Sequence, residues 1–215
     1  MDVYEAITNL RSMRRLKPDH VPDELVRKVL EAAIRAASGG NQQNWSFLLV
    51  RDSEKKKRIG TWYKDGLARL FASGYGQPKP GEPPFAPAEA AAKERTKRSA
   101  QHLADNFAEV PVLIFACLVT DPVGGAPNVR SGASIYPAVQ NLMLAASAEG
   151  LGTTLTTVHA HHDNEIKEYL NIPANVVTAA LVTMGWPTGT FGPGPRRPLA
   201  EVTYVDSWGN RPDWP

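Results

Sequence analysis

The run Val112–Val119 limits this chain more than any other stretch. It is continuously apolar, rich in β-branched residues, and bounded by Pro111 on one side and Asp121-Pro122 on the other. A run of that length and composition reads as a strand buried on both faces, and such a strand needs a layer packed on either side of it. Cys117, the only cysteine, lies inside this run and reads as a core thiol, because reactive thiols need exposed, electropositive surroundings. A second apolar run, Ser134–Glu149, has helical spacing and carries Ile135, Ala138, Val139, Leu142, Met143, Ala145 and Ala146. A helix apolar all round must be buried all round. In a chain of 215 residues that suggests a helix shared with a second subunit.

The remaining elements fall around these two. Val3, Ile7 and Leu10 mark one face of a helix over residues 2–16. Asp23 is a natural N-cap for a helix running to about Ala37, and paired glycines follow at Gly39-Gly40. Trp45–Val50 reads as a strand, residues 54–73 and 88–107 as helices, Thr153–His159 as a threonine-rich strand, Asp163–Leu170 as a short helix and Val176–Met184 as a strand. Glu201–Val205 is a candidate last strand. Gly74–Pro87 is too rich in proline and glycine for a regular element, and a loop that long suggests a cover over a site. Neither a repeat nor a linker divides the chain. The expectation is one α+β domain over residues 1–215, a mixed β-sheet flanked by helices.

Composition excludes several functions. The formal net charge of +2 gives no broad footprint for nucleic acid. No apolar stretch is long enough to span a bilayer, and Met1-Asp2-Val3-Tyr4 lacks the basic and apolar regions of a signal peptide, so no membrane partner and a cytoplasmic location are expected. There is no P-loop, no Gly-x-Gly-x-x-Gly after a strand and no Gly-x-Ser-x-Gly elbow. His159, His161, His162 and Asp163 resemble a metal cluster, but no second group with matching ligand spacing accompanies them, so no metal is expected.

What remains is polar and ordered along the chain. Arg11-Ser12-Met13-Arg14-Arg15 places three guanidiniums and a hydroxyl within five positions. The guanidinium fork suits phosphate, because it donates two parallel hydrogen bonds to one oxyanion. Ser38-Gly39-Gly40-Asn41-Gln42-Gln43-Asn44-Trp45 is a loop of hydroxyl and amide groups between a helix and a strand, and Arg196-Arg197-Pro198-Leu199 adds a second arginine pair. Together with Gly150-Leu151-Gly152 and Met184-Gly185-Trp186-Pro187, these segments resemble the ordered motifs of the FMN-dependent nitroreductase family. Asn44 stands where that family usually has proline, and no motif covers residues 62–105, which read as a variable insertion or cover segment.

The resemblance implies a nitroreductase-like fold, an intertwined homodimer with shared active sites, FMN as cofactor and NAD(P)H as electron donor. Hydride would pass through flavin N5 to a small-molecule acceptor, a nitroaromatic, a quinone or a related compound. By the same resemblance Arg11, Ser12 and Arg196 hold the phosphate, beside Met13, and Arg14 sits by N1/O2, where a cation favours the reduced anion. Ser38, Gly39 and Asn41 would reach the flavin from the other subunit. Leu155, Thr156 and Thr157 would lie along the flavin face opposite the substrate. No general acid is apparent, which suits flavin-centred chemistry. Alternatives within the family are a flavin-fragmenting or a reductively dehalogenating enzyme; from another class, a non-catalytic flavin-binding module.

Overall fold

A computed structural model describes residues 2–120, 130–190 and 192–214. Its centre is a four-stranded sheet in the order β1-β2-β4-β3, built from β1 (Trp45–Val50), β2 (Val112–Val119), β3 (Gly152–Thr156) and β4 (Val176–Gly185). β2 and β4 occupy the middle and are buried almost throughout, as the unbroken apolar runs require. Each of the three pairings is antiparallel, so the sheet expected to be mixed is antiparallel among the described residues. The residues beyond β2 that were expected to form a Gly/Pro loop, 121–129, lie outside the described residues.

The period-two alternation of β2 sorts its side chains into two cores. Val112, Ile114, Ala116 and Leu118 face α2 (Asp23–Ala33) and α5 (Gly132–Ala148), while Leu113, Phe115 and Cys117 face α3 (Ser53–Ala72), α4 (Pro87–Asp105) and α6 (Asp163–Tyr169). The sheet is therefore the middle of three layers. Burial raises the Cys117 thiol pKa to about 11, which keeps it protonated and inert. Among the described residues no helix is long and apolar enough to cross a membrane.

Several boundaries differ from the sequence expectation, each for a local reason. The helix expected over residues 2–16 is α1 (Val3–Asn9) only, capped by the Asp2 carboxylate, which accepts from the amides of Tyr4 (2.7 Å) and Glu5 (3.1 Å). The arginine run is thus not on a helix end. It lies on an extended strip that the sheet offers better hydrogen bonds than a helix would. The Met13 amide donates to the Thr153 carbonyl (2.8 Å), and the Lys17 amide donates to that of Trp186 (2.7 Å). Asp23 is the first residue of α2 rather than its cap and pairs with Arg51 at 3.0 Å. β3 ends at Thr156 and runs into a 3-10 turn over Val158–His162, and Glu201–Val205 forms no strand but follows from the 3-10 turn Leu199–Glu201.

α5 corrects a second expectation. Val139 and Leu142 have no solvent exposure because they pack in the chain's own core against α2 and the sheet. The apolar helix therefore does not by itself call for a partner. It ends in a Schellman motif: the Gly150 amide donates to the Ser147 carbonyl (3.1 Å) and the Leu151 amide to that of Ala146 (2.9 Å), with Gly150 at φ +77°. This tight stop drops the chain straight into β3.

Gly152 makes the N-terminal strip possible, and Gly185 makes room for Pro111. A Cβ on Gly152 would stand 2.8 Å from Met13 Cβ and 3.1 Å from Leu16 Cδ2, and one on Gly185 would stand 2.8 Å from Pro111 Cδ. Gly152→Ala should consequently lift the strip from the sheet and destabilise the protein by about 1–3 kcal/mol, the usual range for overpacking. The check is the midpoint of denaturant unfolding, and an unchanged midpoint would mean the strip is not seated there.

Candidate functional site

The strip Leu10–Lys17 carries the opening arginines along the outer edge of β3. Its register is fixed twice at Met13, whose amide donates to Thr153 and whose carbonyl accepts from the Thr154 hydroxyl (2.9 Å). Leu16 bridges to Pro187, and the Thr188 amide donates to the Arg15 carbonyl (3.1 Å). Ser12, Met13 and Arg14 are half-buried, and Arg11 and Arg15 are exposed. Arg11 donates to the Gly192 carbonyl (3.1 Å), which joins the strip to the segment ending in Arg196. Arg196 folds back to donate to the Pro195 carbonyl (3.0 Å) over Gly194, where a Cβ would meet its guanidinium at 2.8 Å. Arg15 turns the other way and donates to His102 Nδ1 on α4 (3.2 Å).

Arg14 is a partly buried cation. Among the described residues its guanidinium has neither a carboxylate nor a hydrogen-bond partner. Burial pushes its pKa down, Tyr63 and Tyr75 pull it up, and Arg11 adds like-charge repulsion. A half-buried charge without a counter-charge carries a desolvation cost that nothing described in the chain offsets.

Tyr63 and Tyr75 are the two site neighbours that the sequence did not single out. Tyr63 follows the helical spacing of Ile59 and Leu67 on α3, so it reads only as core. Tyr75 lies in the proline- and glycine-rich loop after α3, which brings that expected cover segment to Arg14.

At the end of β3, Leu155 is half-buried, Thr156 buried and Thr157 exposed. Thr153 and Thr154, just before these three, stand against the arginine strip. Ser38, Gly39 and Asn41 do not. Their loop is held at the opposite edge of the sheet, where the Gly39 amide donates to Ser134 Oγ at the start of α5 (3.4 Å) and the Gln43 amide donates to Ser38 Oγ (3.1 Å). Gly40, Asn41 and Gln43 all have positive φ, between 51° and 58°, which presents a tight run of outward backbone groups. Asn44, where the family pattern has proline, accepts from the Val119 amide (2.8 Å) and returns its side-chain amide to the Val119 carbonyl (3.4 Å), so it closes the β1–β2 pair instead of loosening the loop. From this loop to β3 lie three strand spacings, roughly 14 Å, and the length of α5, roughly 25 Å.

The histidines separate into distinct jobs. His159 is fully buried with Nε2 against the carbonyl (3.0 Å) and hydroxyl (3.1 Å) of Thr178, and burial holds its pKa down. His162 bridges Asp65 of α3 (2.7 Å) and Glu165 of α6 (3.0 Å), which raise its pKa. Among the described residues no group of three or more His, Cys, Asp or Glu could hold a metal.

An antiparallel sheet between helical layers, with an arginine strip along one edge strand, defines a nitroreductase-like α+β protein. The chain belongs to the nitroreductase family, whose model matches residues 7–186. A protein named NADH dehydrogenase from Thermus thermophilus is 28% identical over 217 residues, covering 94% of this chain and 95% of that protein. Iodotyrosine deiodinase 1 from Sus scrofa is 25% identical over 209 residues, covering 94% of this chain and 67% of the relative. Among solved structures, oxidized iodotyrosine deiodinase bound to FMN and 3-iodo-L-tyrosine superposes with a TM-score of 0.72 at 22% identity, over 92% of this chain and 96% of that one. At that identity the likeness concerns the fold.

The His162 bridge gives a pH prediction. A raised folded pKa stabilises fully below the unfolded value near 6.5, and the contribution is lost as pH rises through the folded pKa. His162→Gln should remove that part of the pH dependence, worth about 1–3 °C in melting temperature for a solvent-accessible pair in a chain this size. Melting curves at pH 6 and pH 8 for both proteins test it, and parallel shifts in the two would reject the bridge as the source.

Proposed function

We propose that this chain is a single-domain FMN-dependent oxidoreductase, and the observation that carries the reading is Arg14. Its half-buried, uncompensated guanidinium fits the edge of a ring that becomes negative on reduction, and Arg11, Ser12 and Arg196 fit the phosphate dianion. Bound there, FMN supplies two-electron transfer through N5. The protein's part is to orient the ring against Leu155–Thr157 and hold positive charge at its pyrimidine edge. It would also exclude water with the cover segment that brings Tyr75 to Arg14. NAD(P)H is the proposed donor and a nitroaromatic, a quinone or a related small molecule the proposed acceptor. The names of the Thermus relative and of the family support that choice. A second reading, reductive dehalogenation, is supported by the similarity to the deiodinase.

If the reading is right, purified protein takes up FMN and the bound flavin bleaches with NAD(P)H under anaerobic conditions. Arg14→Ala should lower the flavin's reduction potential and slow its reduction on the order of 10²-fold at saturating FMN, the scale for removing a preorganised charge from a site of developing charge. A loss of FMN affinity with an unchanged potential would instead assign Arg14 to the phosphate.

The active unit of this reading is a homodimer. Ser38, Gly39 and Asn41 stand at the far sheet edge from Arg14, so one chain does not bring both sets to one flavin. Three exposed apolar surfaces support the pairing. β1 has no neighbour on its outer side among the described residues, and Ile34 and Leu49 lie exposed along the groove it forms with α2. The C-terminal tail leaves Leu199, Val202, Val205 and Trp208 exposed, and α1 leaves Val3, Tyr4 and Ile7 so. Exposed apolar side chains repeated along one element in this way fit an interface. Ile34→Glu should therefore give a smaller particle by light scattering that carries less flavin in the same peak. A wild-type monomer with stoichiometric FMN would refute the shared site.

A further inference from the structure

The phenol of Tyr63 joins the two halves of the proposed site from a third element. It is buried on α3, its ring stacks on Phe107 at 4.4 Å between centroids, and its hydroxyl lies 3.3 Å from Thr156 Oγ1. That threonine oxygen already accepts from the Val158 amide at 3.2 Å. Its remaining capacity is one proton and one lone pair, and the buried phenol takes up one of these. The Thr156 hydroxyl is thereby committed inward, which leaves Thr157 as the neighbour that faces out. One turn further along α3, a Cβ on Gly66 would stand 2.8 Å from the Val158 carbonyl. The same helix face is therefore seated directly on the turn after β3.

We propose that Tyr63 is a positioning residue for the cofactor site, acting through Thr156 on the turn at Val158. This rests on the FMN reading above. The hydroxyl does the work, and the ring only packs: Tyr63→Phe keeps the stack on Phe107 and removes only the link to Thr156.

The test uses the full-length protein with Tyr63→Phe, Thr156→Val and the double variant. In apoprotein, exchange of the Val158 amide should speed up roughly 5-fold or more in both single variants, since its acceptor is no longer fixed. FMN binding should weaken roughly 3- to 10-fold in Tyr63→Phe, the loss expected for one buried neutral hydrogen bond. The bound flavin's potential should become more negative, and the double variant should bind FMN no more weakly than Thr156→Val alone. Wild-type affinity, potential and Val158 exchange in Tyr63→Phe, even with a lower melting temperature, would reduce Tyr63 to a core residue and overturn the proposal. Additive losses in the double variant would overturn the route through Thr156. Wild-type protein that takes up no FMN would sink the functional reading itself, and the role of Tyr63 toward the cofactor with it. Weakened binding only in the variants separates the two.

Discussion

The contact on which this architecture depends is the seating of Leu10–Lys17 along β3. Three backbone hydrogen bonds and the Thr154 and Thr188 hydroxyls hold the strip, and it can lie that close only because Gly152 presents no Cβ beneath Met13 and Leu16. Unpaired amides at an edge strand are costly to leave buried and risky to leave open. The strip removes that problem at β3 and in the same act fixes Arg11, Ser12 and Arg14 in space. β1, at the other edge, has no such cover among the described residues.

The central strands were legible because their chemistry is redundant. Val112–Val119 and Trp45–Val50 match the structure at both ends, and β4 runs one residue further, to Gly185. Uninterrupted apolar runs admit few alternatives in water. The N-terminal segment was not legible in the same way. Val3, Ile7 and Leu10 have helical spacing, but Val3 and Ile7 are exposed, and the residues after Asn9 follow hydrogen bonds offered by strands more than a hundred positions away. Local periodicity carries no information about such partners. The fully apolar α5 misled for a related reason: it was read as lacking partners when α2 and the sheet cover it from within.

The polar residues divide similarly. Guanidiniums near hydroxyls suggest an anion site from composition alone, and the strip is tied to the tail at Gly192 and to β3 at Thr153 and Thr154. Tyr63 carried no signal, because a tyrosine at core spacing looks like any other core residue until its oxygen is found against Thr156. The histidine cluster looked meaningful and proved to be split, one ring neutral in the core and one clamped between carboxylates. Their linkages run in opposite directions. The depressed His159 disfavours the folded state as pH falls below the unfolded value near 6.5, whereas His162 loses its contribution as pH rises.

α5 also acts as a ruler. Its first turn holds the Gly39 loop and its Schellman stop delivers Gly152, so its seventeen residues set the separation between two polar segments that belong to different edges of the sheet. Deleting one turn would shorten that separation by about 5 Å, and deleting a single residue would also rotate the far end by about 100°. The loop between α3 and α4 has no such duty and can gain or lose residues without moving either segment. A change of length in α5 would therefore put the two edges of the sheet out of register with each other.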